Sequence, residues 1–336
     1  MKEALFYQKL ENNEVKCGLC SHRCLIKEGK RGICGVRENQ RGVLYSLVYG
    51  KCISQAIDPI EKKPLYHFYP GSSSFSIATV GCNFSCLHCQ NYSISQMVRN
   101  QGKIIGDYVF PFEIVKAAKN YHCTSISYTY TEPTIFYEYA YEIAVLAHSQ
   151  GIKNVFVTNG YTTPEALRYI QPYLDAANVD LKSFSDKFYK NICGARLQPV
   201  LDALQEYKKL GIWLEITTLI IPTYNDSEEE LRKIAEFIFQ LGPEIPWHIS
   251  AFYPTYKLTE PPRTSVFILR KAREIGLDVG LRYVYEGNVP GEMGENTYCY
   301  SCKALLIERR GFTISQYYIK DKKCPKCGAN IDGVGL

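Results

Sequence analysis

The sequence has no apolar run near the roughly 18 residues that a membrane span needs. Its opening stretch, MKEALFYQKLENNEV, lacks the apolar segment of a signal peptide. Charge of either sign is modest: 39 Lys and Arg against 34 Asp and Glu leave a net +5. That permits an acidic partner but does not argue for nucleic acid. There is no internal repeat and no low-complexity tract. These absences argue against a helical membrane protein and a repeat array, and they make the reducing cytoplasm the expected location.

Cysteine, in contrast, is plentiful, with 14 residues in 336. In a reducing compartment a disulfide scaffold is not expected, so clustered cysteines read as metal ligands or redox groups. Eleven of them fall into three groups: Cys17, Cys20, Cys24 and Cys34; Cys82, Cys86 and Cys89; and Cys299, Cys302, Cys324 and Cys327. Cys52, Cys123 and Cys193 stand alone, and the first two suggest no role.

From about residue 75 the chain alternates between β-rich runs and amphipathic stretches. Strands are expected at 75–81, 125–132, 154–160, 176–182, 213–221, 246–253 and 279–287. Helices are expected at 111–121, 134–150, 164–173, 197–210, 227–241 and 264–275. Thr163-Pro164 and Ser227 look like helix starts, and Gly151, Gly211 and Gly276 look like helix ends. Such β/α alternation implies parallel strands with right-handed crossovers. The expected fold is α/β, a partial (β/α)6 TIM-like barrel over 75–290. Small metal-binding modules would flank it at 1–74 and 291–336, and a doubly wound sheet is the alternative. In a barrel the site lies at the C-terminal strand ends. The cysteine loop, Thr-Glu-Pro, Thr-Asn-Gly and Asp-Leu-Lys all fall there.

Three thiolates within eight residues leave one iron of a [4Fe–4S] cubane without a protein ligand, free to bind a substrate or cofactor. Zinc with His88 as fourth ligand is the competing chemistry, but His88 adjoins Cys89, and both reaching one tetrahedral ion is poor geometry. The C-x3-C-x2-C spacing of Cys82, Cys86 and Cys89 after a strand resembles the radical S-adenosylmethionine (SAM) superfamily. The resemblance implies that the open iron chelates SAM, and that reductive cleavage gives a 5′-deoxyadenosyl radical that abstracts hydrogen. Within it the chain is similar to the glycyl-radical-enzyme activases. Their Gly-Gly-Glu-Pro appears here as Tyr130-Thr131-Glu132-Pro133, and their Cys-His-Asn as Cys89-Gln90-Asn91. Thr158-Asn159-Gly160 and Asp180-Leu181-Lys182 match. The resemblance implies SAM contacts at Asn91, Glu132, Thr158, Asn159, Asp180 and Lys182, with Lys182 on the SAM carboxylate. It also suggests Tyr253 where the activases carry a histidine near the ribose. Val157 replaces an acidic residue that the activases can carry, which puts a cation site there in doubt.

CGLCSHRC, TYTEPT, VDLKSFSDKFYKNICGAR, PWHISAFYPTY and YVYEGNVPGEMGENTYC together resemble the radical-SAM proteins of the AmmeMemoRadiSam system. This implies Amme- and Memo-type partners and names no substrate. A one-electron donor such as a ferredoxin or flavodoxin is implied too. A protein substrate is the first choice; a small molecule or cofactor precursor and RNA are the alternatives, and a non-catalytic metal-binding scaffold is the reading from another class.

Of the flanking groups, Cys17, Cys20, Cys24 and Cys34 suit zinc or a second iron–sulfur cluster, with zinc preferred. His22 and Arg23 between them are expected in solvent. Cys299, Cys302, Cys324 and Cys327 read as a zinc ribbon, with rubredoxin-like iron as the alternative. Cys193 should fall near the barrel mouth, as a hydrogen donor, a substrate contact or a buried small apolar residue. His248 reads as core.

Overall fold

The structure, a computed structural model, describes all residues except Pro290 and Glu292. The boundary expected at 290 therefore falls partly outside the described residues. Eight strands form the central sheet: β1 (Ser54–Pro59), β2 (Ser73–Ala78), β3 (Ser125–Tyr128), β4 (Lys153–Thr158), β5 (Ala176–Asp180), β6 (Trp213–Ile220), β7 (Trp247–Ala251) and β8 (Val284–Gly287). Strands β2 to β8 are parallel and pair in chain order, while β1 joins β2 antiparallel at one edge. Chain-order pairing excludes the doubly wound alternative, whose strand order reverses at a switch point. The interior strands are covered on both faces, and β3 is buried at every position, but one face carries polar side chains such as Ser76, Ser127, Asn178 and Glu215.

Six principal helices cross between the strands: α1 (Pro111–Asn120), α2 (Tyr137–Ser149), α3 (Pro164–Ile170), α4 (Gln198–Lys209), α5 (Glu228–Leu241) and α6 (Val266–Val279). Ser227 caps α5 by accepting from Glu230 N, and three glutamates fill its positive first turn. Thr163 precedes α3 but does not cap it; its hydroxyl donates to the carbonyls of Gly18 (2.9 Å) and Leu19 (3.1 Å), tying the N-terminal segment to the sheet. Gly276 is not a helix end. It lies inside α6, which runs to Val279 and is capped by Gly280. A Cβ at Gly276 would stand 3.0 Å from the Trp247 ring and 2.9 Å from Val284, so the glycine is there for close helix–sheet contact.

The C-terminal residues form a small antiparallel sheet that includes Leu305–Arg310 and Thr313–Tyr317. It packs beneath the N-terminal ends of the strands, against residues 60–69. Glu215, near the start of β6, accepts from Tyr66 N (2.9 Å) and His67 N (2.8 Å) and meets His248 Nε2 at 2.7 Å. His248 is buried, as its core reading requires. Arg309 donates to Tyr66 O (2.9 Å) and Thr297 Oγ1 (2.7 Å). His67 is held between Asp332 O (2.6 Å) and the Tyr285 hydroxyl (2.5 Å). Among the described residues no helix is long and apolar enough to cross a membrane.

Burial pushes His67 down to about 4, against about 6.5 for a free histidine. A histidine depressed on folding stabilises fully above its unfolded value, and that contribution is lost as pH falls toward the folded one. We expect roughly 2 kcal/mol of the stability lost between pH 7 and pH 5 to come from this residue. Urea unfolding of the wild type and His67→Gln at both pH values measures it; an identical pH dependence in the two proteins would rule it out.

Candidate functional site

The loop that leaves β2 carries Cys82, Cys86 and Cys89. Gly81 makes the exit possible: its φ is +102°, and a Cβ there would stand 2.8 Å from Val36. The loop is held from several sides. Ser85 N donates to Cys193 O (2.8 Å), and Leu87 N donates to Ile192 O (2.9 Å). Gln96 Nε2 and Arg99 Nη1 both donate to Phe84 O, at 3.2 and 3.1 Å. Cys89 Sγ lies 3.0 Å from Ser95 Oγ. Burial pushes the Cys82 and Cys89 thiols up, so as thiolates they need positive charge beside them.

Glu132 follows β3, is 1% exposed, and ties two strand ends together. Its Oε1 accepts from Thr134 N (3.0 Å), Thr134 Oγ1 (2.6 Å) and Thr158 Oγ1 (2.8 Å), and its Oε2 accepts from Asn159 N (2.8 Å). Burial still pushes its carboxyl up. Asn159 carries the connection onward, donating from Nδ2 to Asn83 Oδ1 (2.8 Å), with Cys82 Sγ 3.8 Å away. The Thr-Glu-Pro and Thr-Asn-Gly motifs thus meet the cysteine loop through Asn83. Sequence reasoning passed over Asn83, and the available signal was a polar residue enclosed between two cluster cysteines.

Two residues before Glu132, Tyr130 adopts φ +62°. The activases carry glycine there, which accommodates this backbone at little cost. A tyrosine in the left-handed region costs roughly 1–3 kcal/mol. Its hydroxyl donates to Asp58 Oδ2, and Lys63 Nζ lies 4.6 Å over its ring, which hold the conformation in place.

Asp180 and Lys182 pair at the end of β5, at 2.7 Å. Burial opposes the Lys182 charge, but Asp180 and the Cys86 and Cys193 sulfurs outweigh it and hold the ammonium well above its usual range. Cys86, His88 and Cys193 are all buried, with ligand atoms within 4.8 Å of one another. Cys193 does fall beside the cysteine loop. Tyr253 stands past the end of β7, its hydroxyl donating to Asn288 O (3.1 Å) and Arg263 lying 4.4 Å over its ring. Asn91 is exposed at the start of a short helix, where its carbonyl accepts from Ser95 N (2.9 Å).

His22 is not in solvent. It is half-buried, its Nε2 2.8 Å from Asn83 O and its ring 4.8 Å from Tyr161. Arg23 is exposed as expected and pairs with Glu165 at 3.1 Å. Cys17, Cys20, Cys24 and Cys34 line one cavity. The sulfurs of Cys299, Cys302, Cys324 and Cys327 lie within 4.8 Å of one another, with the pairs Cys299–Cys327 and Cys302–Cys324 at 3.6 Å.

The donor set fits an iron–sulfur cluster with an open iron, because this one short loop carries three soft thiols and no fourth cysteine. Around them Asn83 Nδ2, His88 Nδ1 and Thr131 Oγ1 are buried with no partner. Such atoms are costly unless something polar meets them, so the site also fits a polar ligand.

Comparison with known proteins agrees with this chemistry. Residues 76–238 match the Radical SAM superfamily. An uncharacterized protein of Methanocaldococcus jannaschii is 51% identical over 335 residues, covering 99% of both chains. The pyruvate formate-lyase-activating enzyme of Clostridium pasteurianum is 25% identical over 158 residues, 47% of this chain and 66% of that one. A radical SAM methyltransferase from Sphaerobacter thermophilus shares the fold, with a TM-score of 0.51 and 15% identity over 66% of this chain and 68% of that one.

Replacing Glu132 with alanine leaves the buried Thr134 and Asn159 N–H groups without their acceptor, and we expect a loss of roughly 2–4 kcal/mol. Thr158→Val, which removes one donor to Glu132 and the acceptor of Gly160 N (3.2 Å), should cost less, about 1–2 kcal/mol. Denaturant unfolding of both variants checks the order; equal stabilities would mean that Glu132 does not join the strand ends.

Proposed function

This chain is an enzyme of the radical SAM superfamily, and on that premise we propose that it abstracts a hydrogen atom from a protein partner, as an activating or protein-modifying enzyme. Membership of the family implies a [4Fe–4S] cluster and SAM. The observation that carries the choice of a protein partner is where the C-terminal module sits. It packs at the N-terminal ends of the strands, around Glu215, His67 and Arg309, so it does not roof the cysteine loop at the opposite ends. A site left uncapped by that module suits a partner's loop better than a small molecule enclosed in a pocket. The likeness to a pyruvate formate-lyase-activating enzyme points the same way.

In this reading Cys82, Cys86 and Cys89 would each hold one iron and leave the fourth open to SAM. Bound there, the cluster and SAM supply a 5′-deoxyadenosyl radical by one-electron cleavage of the sulfonium C–S bond. Lys182, kept charged by Asp180, would pair with the SAM carboxylate. Glu132 and Asn159 fix the wall that faces the ammonium, and Thr131 Oγ1 is free to bond it. Thr158 acts through Glu132. Tyr253 lies toward the ribose, and Asn91 sets the exit of the loop. Cys193, beside Cys86, is positioned as a hydrogen donor.

We read the eight-stranded sheet as an open partial (β/α)6 barrel over 75–290, with 1–74 and 291–336 as metal-binding modules. The 3.6 Å sulfur pairs of the C-terminal module match the roughly 3.8 Å edge of a tetrahedron with Zn–S bonds of about 2.3 Å, and we assign zinc there. A ferredoxin or flavodoxin in the cytoplasm would supply the electron. The motif resemblance to the AmmeMemoRadiSam proteins would extend the list of partners to Amme- and Memo-type proteins.

The test uses proteins, RNA and small molecules from deuterated cells of the source organism, added separately to the reduced protein with SAM. Deuterium should enter 5′-deoxyadenosine from the protein fraction and vanish after protease treatment. Transfer from the small-molecule or RNA fraction would overturn the assignment. Cys86→Ala should give no 5′-deoxyadenosine with any fraction; unchanged yield would remove that cysteine from the site.

A further inference from the structure

Two four-cysteine sites flank the sheet, and their sulfurs are spaced differently. A single tetrahedral ion with bonds of about 2.3 Å draws its four sulfurs to roughly 3.8 Å from one another. The C-terminal four meet that demand, all lying within 4.8 Å of one another. Among the described residues, the N-terminal four do not make such a group, and neither do any three of them. Yet Cys17, Cys20, Cys24 and Cys34 all line the same cavity, so they face one occupant and not four separate surroundings. A cubane gives each thiolate a different iron, and its ligand sulfurs therefore stand further apart than around one ion.

The cavity also carries an unmet donor. Arg37 lines it and is 2% exposed. Its Nη1 and Nη2 are spent on Glu138, at 3.1 and 2.8 Å, and Nη2 also donates to Leu5 O (2.8 Å). Its Nε is buried with no partner. A buried guanidinium N–H is costly when unpaired, and a thiolate or sulfide in the cavity would accept from it.

We propose that Cys17, Cys20, Cys24 and Cys34 hold a second [4Fe–4S] cluster and not zinc, with Arg37 Nε donating to one of its sulfurs. The cavity adjoins the first site. Thr134 lines it and also donates to Glu132, and His22 lines it and also meets Asn83 O. The carbonyl of Cys34 would be 3.4 Å from a Cβ at Gly81. The second cluster would therefore sit against the loop that carries Cys82, Cys86 and Cys89. The assignment rests on sulfur spacing and on Arg37, and it stands apart from any SAM chemistry.

The experiment uses the full chain, prepared without oxygen, as wild type and as the triple variant Cys82→Ala/Cys86→Ala/Cys89→Ala. The triple variant should keep about four irons and four sulfides per chain, with about one zinc, and give a [4Fe–4S]1+ electron paramagnetic resonance signal on reduction. The wild type should hold about eight irons. No iron and about two zincs in the triple variant would overturn the proposal, and about two irons would replace it with a [2Fe–2S] cluster. If the triple variant does not fold, the wild-type count decides: about eight irons supports the proposal, and about four irons with two zincs refutes it. A wild type that holds iron only at the N-terminal site would instead count against the first cluster.

Discussion

The buried carboxylate of Glu132 is the constraint on which the site depends. Four hydrogen bonds from Thr134, Thr158 and Asn159 end on it. Through Asn159 and Asn83 the same network reaches the cysteine loop. A loop with three sulfurs has little core of its own. Its geometry is set by the strand ends on one side and by residues 192–193 on the other, where two backbone hydrogen bonds pin Ser85 and Leu87. The loop backbone is thus held by protein contacts on both sides, and positioning of this kind is what a redox cofactor needs from a protein.

The two ends of the sheet have different tasks. At the C-terminal strand ends lie the cysteine loop, the Glu132 network and the Asp180–Lys182 pair. At the N-terminal ends, Glu215, His67, Tyr285 and Arg309 form a buried polar plug that joins residues 60–69 to the C-terminal module. The N-terminal segment reaches the first end and the C-terminal module the second. Thr163 and His22 fix the former beside the cysteine loop.

Much of this was legible in the sequence. Parallel strands buried on both faces read as continuous β-rich runs, so all seven expected strands are present, and the first four of them are followed by the cysteine loop, Thr-Glu-Pro, Thr-Asn-Gly and Asp-Leu-Lys. The cysteine groups were legible because several thiols at short, regular spacing are a metal-ligand pattern. Long-range contacts were not legible. Nothing local reveals that Asn83 links Asn159 to the loop, or that His22 lies beside it. Gly276 carried the same local signal as a helix end, and only the nearness of Trp247 and Val284 explains it. Tyr130 stands where the activases' motif has glycine, and its anchor, Asp58, is 72 residues away in the chain.

The most direct test is to reconstitute the wild-type protein with iron and sulfide without oxygen, reduce it with dithionite and add SAM. This account predicts 5′-deoxyadenosine and methionine in equal amounts. A loaded, reduced protein that binds SAM but leaves it whole would contradict it.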